Sequence, residues 1–522
     1  MKSIQFKLIF SVLLFWLSLA LACNYPARTG DSDIPLQGDI RQTLWAQQTL
    51  LASGATLSPD QTLVPTPPGY EPVQTIIPAS PTPYTFIETD PNQIIYHARS
   101  GDTLPALALR FGIEPGEISS PEAIPEQAFL TLGQPLSIPD RLGDTPYPDA
   151  LLPDSEVIYS PSTLDFSIEN FIQNAPGYLS TYGEMVDGEW TSAAEIFNRV
   201  SSDHSINPKI LLAFLEYRSG WVSGQPAGTD AIYYPLGFKV PGYQGLYYEL
   251  GFAATQLNVG YYGWRSGTLT ELQFHDASKV RLSPSLNPGS VALQRLFAKL
   301  YDQGPWYSAL YGEETFISLY QEMFGDPWER DTTVGQLFPP GVVQPVLELP
   351  FMPGERWSFT GGPHYAWSSG TPRGGLDFAP VTGEPACVVS RAWVTASAPG
   401  VVVRSGHNVV AIDLDGDGYE QTGWVLMFLH IADKDRVPLG TRVDQDERLG
   451  HPSCERGKST GTHVHIARKY NGEWINSNGP LPFALSGWQV QMGPKIYQGS
   501  LIKEGETVTA NPSGPQTSII VR

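Results

Sequence analysis

Residues 459–466 read STGTHVHI, and the spacing within that stretch decides how the C-terminal part of the chain folds. Thr462, His463, Val464, His465 and Ile466 alternate polar with apolar. On a β-strand, residues i and i+2 point to one face and their neighbours to the other. His463 and His465 therefore share a face, while Val464 and Ile466 face a core. Taken alone, a His-x-His pair is as readily part of a half-buried hairpin as of a metal site. Two further segments add weight. TGGPHYAWSSGTPRGGLDF (360–378) offers His364 and Asp377, and LMFLH (426–430) ends on His430, which by itself reads as a core histidine. Together these make three ligands and two spare histidines, a set suited to metal-dependent hydrolysis. A catalytic zinc keeps three protein ligands and an open position for water, whose pKa falls to about 7 when bound. His364, Asp377 and His465 fill that role on one zinc.

Residues 355–475 resemble the lysostaphin and LytM class of zinc endopeptidases, which cut peptidoglycan peptides. Most of that class takes its first ligands from His-x-Gly-x-Asp, where this chain has Arg373-Gly374-Gly375-Leu376-Asp377. By that motif alone the site is broken. The beta-lytic branch instead takes its histidine from an upstream Gly-Gly-x-His, matched here by Gly361-Gly362-Pro363-His364 ahead of Leu376-Asp377. The resemblance implies zinc on His364, Asp377 and His465, with His430 and His463 flanking the reacting carbonyl as catalytic residues. Which of the two moves the proton and which steadies the oxyanion stays open, and Arg373 reads as a solvated loop residue.

Apart from Cys23, the chain has two cysteines, Cys387 and Cys454. Cys454 lies just before the zinc strand, so a disulfide to Cys387 would pin the loop leading into it. Two buried free thiols are the alternative. The run Asp413-Leu414-Asp415-Gly416-Asp417-Gly418 imitates the start of a calcium loop, with carboxylates at positions 1, 3 and 5. Position 12 is Trp424 instead of Glu, so the tip of a hairpin competes with a calcium site on Asp413, Asp415 and Asp417.

At the other end, Lys2 and Lys7 precede an apolar stretch, Leu8 to Ala22, that stops at Cys23. It is short for a membrane span and reads as a signal peptide, residues 1–22. Leu19-Ala20-Leu21-Ala22-Cys23 resembles a bacterial lipobox, which implies a lipidated Cys23 and an exported lipoprotein anchored to the membrane at the cell envelope. A Pro- and Thr-rich linker follows, residues 23–92 with the N-terminus. Residues 93–140, with YHARSGDTLPALALRFGI and a closing LTLGQPLSIPD, resemble a LysM domain, the βααβ fold that binds N-acetylglucosamine polymers. Residues 141–164 read as linker. The texture then turns helical over 165–335: Ser192 and Glu195 form a capping box, and Asn207-Pro208 opens a helix that Gly220 ends. INPKILLAFLEYRSGW resembles the helix of lytic transglycosylases, with Arg218 where their glutamate precedes Ser-Gly. Glu216 lies about 200° away around the helix and is no substitute. A degenerate lysozyme-like domain and a plain helical spacer both fit.

The chain carries 32 basic against 53 acidic residues, a net charge of −21, which argues against nucleic acid and against electrostatic capture by anionic polymers. The expected architecture is multidomain α+β: a βααβ module, a helical middle domain, an antiparallel β-rich metallopeptidase domain over 345–500, and a loose tail over 501–522. The expected function is a zinc endopeptidase acting on peptidoglycan. The competing expectation is a non-catalytic wall-binding protein that uses the peptidase fold to dock another hydrolase.

Overall fold

In a computed structural model, residues 92–455 and 459–522 are described; Cys23, the signal-like segment and the Pro/Thr-rich stretch lie outside them. The described residues belong to one compact unit. It begins with β1 (Gln93–His97), helix α1 (Leu104–Phe111) and β2 (Pro135–Pro139), the two strands pairing antiparallel. Buried Asp102 ties the module together, accepting from Tyr96 Oη at 2.7 Å, Arg99 N at 2.8 Å and Arg110 Nη1 at 2.8 Å. The expected second helix is absent. After α1 the chain makes only a 3₁₀ turn, Pro115–Glu117, before β2. Pro121 and Pro125 account for this, since each lacks an N–H and biases its predecessor away from helix.

The helical region contains α2 (Ala193–His204), α3 (Pro208–Ser219), α4 (Leu246–Arg265) and α5 (Pro288–Ala298). Ser192 and Glu195 form the capping box of α2, Asn207 caps α3, and Gly220 ends α3 at φ 63°. Gly260 lets α4 approach α5 closely, because a Cβ there would strike Ala292 Cα. Leu151, Leu152, Val157 and Ile158 are buried in this same core. The segment 141–164 is thus not all linker; its second half is apolar and belongs to the helical region. Arg218, at the place of a transglycosylase glutamate, donates from Nε to Leu236 O at 2.9 Å, and Glu216 accepts from Val222 N at 2.8 Å. Both side chains brace their own loops.

The sheet that carries the predicted site is built from β3 (Arg356–His364), β4 (Gly375–Pro380), β5 (Gly400–Gly406), β6 (Val409–Asp413), β7 (Trp424–Leu429) and β8 (Val464–Tyr470). A hairpin of β9 (Trp488–Met492) and β10 (Gly499–Lys503) follows, then β11 (Ile519–Val521). The order in the main sheet is β5-β6-β7-β8-β4-β3-β11, antiparallel throughout. The expected loose tail is therefore a correction. Ile520 pairs with Trp357 and is buried, and Arg522 bonds Glu348 at 3.1 Å. A β-branched run, Ile519 to Val521, is well suited to cover the otherwise open edge of β3.

The alternation of β8 divides the molecule. Val464 and Ile466 join Phe378, Leu426 and Phe428 in one core. Ala467, on the opposite face with His465, joins Met427, Val409 and the helices in another. The helical region thus covers the sheet face that carries His465, beginning two residues beyond it. Polar contacts fix the docking: Lys469 Nζ donates to Ser202 O at 3.0 Å and pairs with Glu420 at 2.6 Å, and Arg404 bonds Asp203 at 2.6 Å. Arg265 pairs with Glu473 at 2.9 Å. Among the described residues no helix is long and apolar enough to cross a membrane.

His204, the last residue of α2, is half-buried at this junction, and desolvation there, with Lys469 nearby, pushes its imidazole down to about 4. The unfolded chain takes up that proton near 6.5, so stability is lost as pH falls from about 6.5 to 4, on the order of 3 kcal/mol for this group. His204→Gln is expected to flatten that part of the pH–stability curve, as read by urea unfolding at stepped pH.

Candidate metal centre

Register brings the predicted residues together. His465 on β8 sits directly opposite Asp377 on β4, and β4 pairs in turn with β3, which ends at His364. Three atoms converge: His364 Nε2 lies 2.9 Å from His465 Nδ1 and 3.3 Å from Asp377 Oδ1, and the last two are 3.1 Å apart. The other nitrogen of each ring faces a backbone carbonyl. His364 Nδ1 is 2.9 Å from Gly362 O, and His465 Nε2 is 3.0 Å from Ala366 O. Those carbonyls accept, so the outer nitrogens carry the protons and the inner ones present lone pairs. Two lone pairs and a carboxylate therefore face one another with no donor between them, in a buried place. A cation resolves that conflict. Zinc bonds of about 2.0–2.1 Å at tetrahedral angles put donor atoms ~3.3 Å apart, close to this triangle.

Charge states agree with that use. Burial would raise the Asp377 carboxyl, but His364 and the other imidazoles outweigh it and hold it well below the usual range. Burial keeps His465 below its ordinary value and so favours the neutral ring. Metal ligation needs both of these states, and it would displace a proton from His364, which Asp377 holds above its ordinary value against the effect of burial.

The other two histidines stand beside the triangle. His463 Nε2 is 3.8 Å from Asp377 Oδ1, and its Nδ1 is 2.7 Å from Gly461 O. His430, one residue beyond β7 at φ 64°, has its ring 4.5 Å from that of His463. Leu429, its neighbour, pairs with His465, which explains how a histidine ending an apolar run reaches the site.

Several supporting residues carried little sequence signal. Tyr497, in the turn between β9 and β10, stacks on His364 with ring centres 4.2 Å apart. Its backbone exchanges hydrogen bonds with β3, Gly362 N to Tyr497 O at 3.0 Å and Tyr497 N to Pro363 O at 3.3 Å. Gly361 and Gly375 leave the room that the Asp377 carboxylate and the His465 ring occupy, which is why glycine doublets flank the ligands. Arg373 is not a free surface residue. It donates from Nε to Pro363 O at 3.1 Å and from Nη2 to Lys495 O at 2.6 Å, tying the end of β3 to the turn that carries Tyr497.

Cys387 and Cys454 form a disulfide, and Thr462 Oγ1 donates to Val388 O at 2.9 Å next to it. The bridge holds the approach to His463 across 67 residues. Asp413, Asp415 and Asp417 gather in the β6–β7 hairpin loop, where Asp413 accepts from Asp415 N at 3.1 Å and Gly418 N at 2.8 Å. Partial desolvation in the loop and the neighbouring carboxylates of Asp413 and Asp417 push Asp415 up to about 7, although its side chain is exposed. Replacing both cysteines by serine is expected to cost about 2–4 kcal/mol of stability. The shift should appear in the urea midpoint, with metal content unchanged.

Residues 150–338 match the family described as LasA, N-terminal domain, beginning where the helical core begins. Protease LasA of Pseudomonas aeruginosa is 26% identical over 382 residues, covering 69% of this chain and 82% of that protein. The beta-lytic metalloendopeptidase of Lysobacter enzymogenes is 29% identical over 154 residues, covering 29% of this chain and 83% of that protein. Among solved structures, the M23 metalloprotease pseudoalterin aligns at 23% identity with a TM-score of 0.28, over 32% of this chain and 96% of its own. The likenesses to LasA, over most of this chain, and to the beta-lytic enzyme, over the region that carries the site, support a metalloendopeptidase.

Proposed function

We propose that this protein is a zinc endopeptidase that hydrolyses peptide bonds in peptidoglycan stems or cross-bridges. One observation carries the reading: three buried acceptors face one another without a donor, with two more histidines beside them. Zinc held by His364, Asp377 and His465 would polarise a scissile carbonyl and acidify water. The remaining chemistry belongs to the chain. With Nδ1–H on Gly461 O, His463 presents Nε2 as an acceptor toward the site, placed to take a proton from the attacking water and return it to the leaving amine. His430, beside it, is placed to donate to the oxyanion that develops on the carbonyl. Tyr497 closes the His364 side of the site.

The wall as substrate rests on the resemblance of residues 355–475 to the peptidoglycan-cutting class. Export and a lipid anchor on Cys23 belong to the same proposal, as does glycan contact through residues 93–140. Tethering of that kind raises local substrate concentration, so weak module affinity suffices.

Zinc analysis of the purified protein is expected to give one ion per chain, and His465→Ala to lose it. A wild type that retains no zinc sinks the reading. His463→Ala is expected to retain the metal and lose about 10²–10⁴-fold in kcat on purified peptidoglycan. Unchanged release of new amino groups from that substrate would remove His463 from the mechanism.

A further inference from the structure

The ring of His465 is aimed by a carbonyl that the helical region holds in place. Its Nε2–H meets Ala366 O at 3.0 Å, and that bond directs Nδ1 toward the other two ligands. Ala366 opens the loop 366–371, which is internally bonded. Ala366 N donates to Pro372 O at 2.9 Å, Trp367 N to Thr371 Oγ1 at 3.1 Å, and Thr371 Oγ1 to Ser368 O at 2.8 Å. A loop so tied moves as one piece, and where its far end rests sets where Ala366 O points.

That far end rests on α4. Gly370, at φ 105°, sits so close to the helix that a Cβ would lie 2.9 Å from Val259 N and 3.0 Å from Thr255 O, both backbone atoms. The loop's middle meets α2, with Ser368 Oγ 3.4 Å from His204 Nδ1 and the Trp367 ring 6.5 Å from the His204 ring. Ala366 itself is fully buried in the core of the helical region, on the far side of the sheet from Val464 and Ile466. Trp474 completes the junction, its Nε1 donating to His204 O at 3.3 Å. An unbroken series of contacts therefore runs from α4 and α2 through the loop to one metal ligand.

We propose that the helical region is part of the metal site's scaffold, with Gly370, Thr255 and Val259 as positioning residues that set the orientation of His465. The inference rests on the zinc reading given above, and it assigns the helical region a role other than spacer or glycan-binding module. A ligand's outer partner typically governs metal affinity by 10–100-fold. Displacing Ala366 O by a few tenths of an ångström loosens the ring's aim while leaving all three ligands present.

The test uses the full chain. Zinc affinity is measured by competition with a chromogenic chelator, and the visible absorption of the cobalt-substituted protein reports coordination geometry. Gly370→Ala pushes the loop off α4 from one side. Val259→Phe does so from the other, at a half-buried position on the helix, and serves if Gly370→Ala does not fold. Expected is a loss of zinc affinity of about tenfold or more and a changed cobalt spectrum, in apoprotein that remains folded by circular dichroism and cooperative melting, at a lower melting temperature for the strained Gly370→Ala. Zinc affinity within twofold of wild type, with superimposable cobalt spectra in a folded variant, overturns the positioning role and leaves the zinc reading standing. Wild-type protein that binds neither metal overturns both.

Discussion

Side chains of β8 must alternate, and that geometric rule binds the chemistry to the architecture. His463 and His465 share their face with Ala467 and Lys469, while Val464 and Ile466 fill the opposite core. A slip of one residue would turn the imidazoles into the apolar core and set the valine and isoleucine at the site. Asp377 opposite His465 on one side, and Leu429 on the other, hold the register. The shared face also limits what can cover the sheet. Something must shield Ala467 and neutralise Lys469, yet stop short of His465. The helical region does this, so the site lies at its border and not under it.

The docking of helices on sheet is unusually rich in buried charge. Burial pushes Lys469 down to about 8, with Glu420 and Arg404 beside it. Arg265 and Glu473 make a second such group with Tyr261, whose hydroxyl bonds Glu473 at 2.8 Å. Desolvating such pairs offsets much of their attraction, so they are poor evidence for added stability. Their geometric demand is strict, however. A helical region displaced along the sheet would leave several charges buried and unpaired, a cost of several kcal/mol each. These pairs fix one placement of the helices, and with it the loop that carries Ala366.

How much of this was legible depended on range. The period of two in residues 462–466 is local, so the shared face of His463 and His465 could be read directly. The caps of α2 and α3 were legible for the same reason, each being set within four residues of sequence. Tyr497 was not, because it reaches His364 through a positive-φ turn and a pairing across more than a hundred residues. β11 escaped notice likewise: three apolar residues after a Pro- and Gly-containing stretch become a strand only when the edge of β3 is there to receive them. The missing second helix of the first module had a local cause, the two prolines, which the likeness to a known fold outweighed. The tie made by Arg373, a partly exposed loop residue, has no signal in the sequence, because its anchors, Pro363 and Lys495, are two carbonyls that no side-chain pattern announces.

Arg373 stands where the resemblance to the lysostaphin class would put a histidine, and here one guanidinium spans two carbonyls, one at the end of β3 and one in the turn that carries Tyr497. An imidazole is too short to bridge both. Exchanging this arginine for histidine would remove that double tie and leave the turn that carries Tyr497 joined to β3 through the Gly362 and Pro363 backbone bonds.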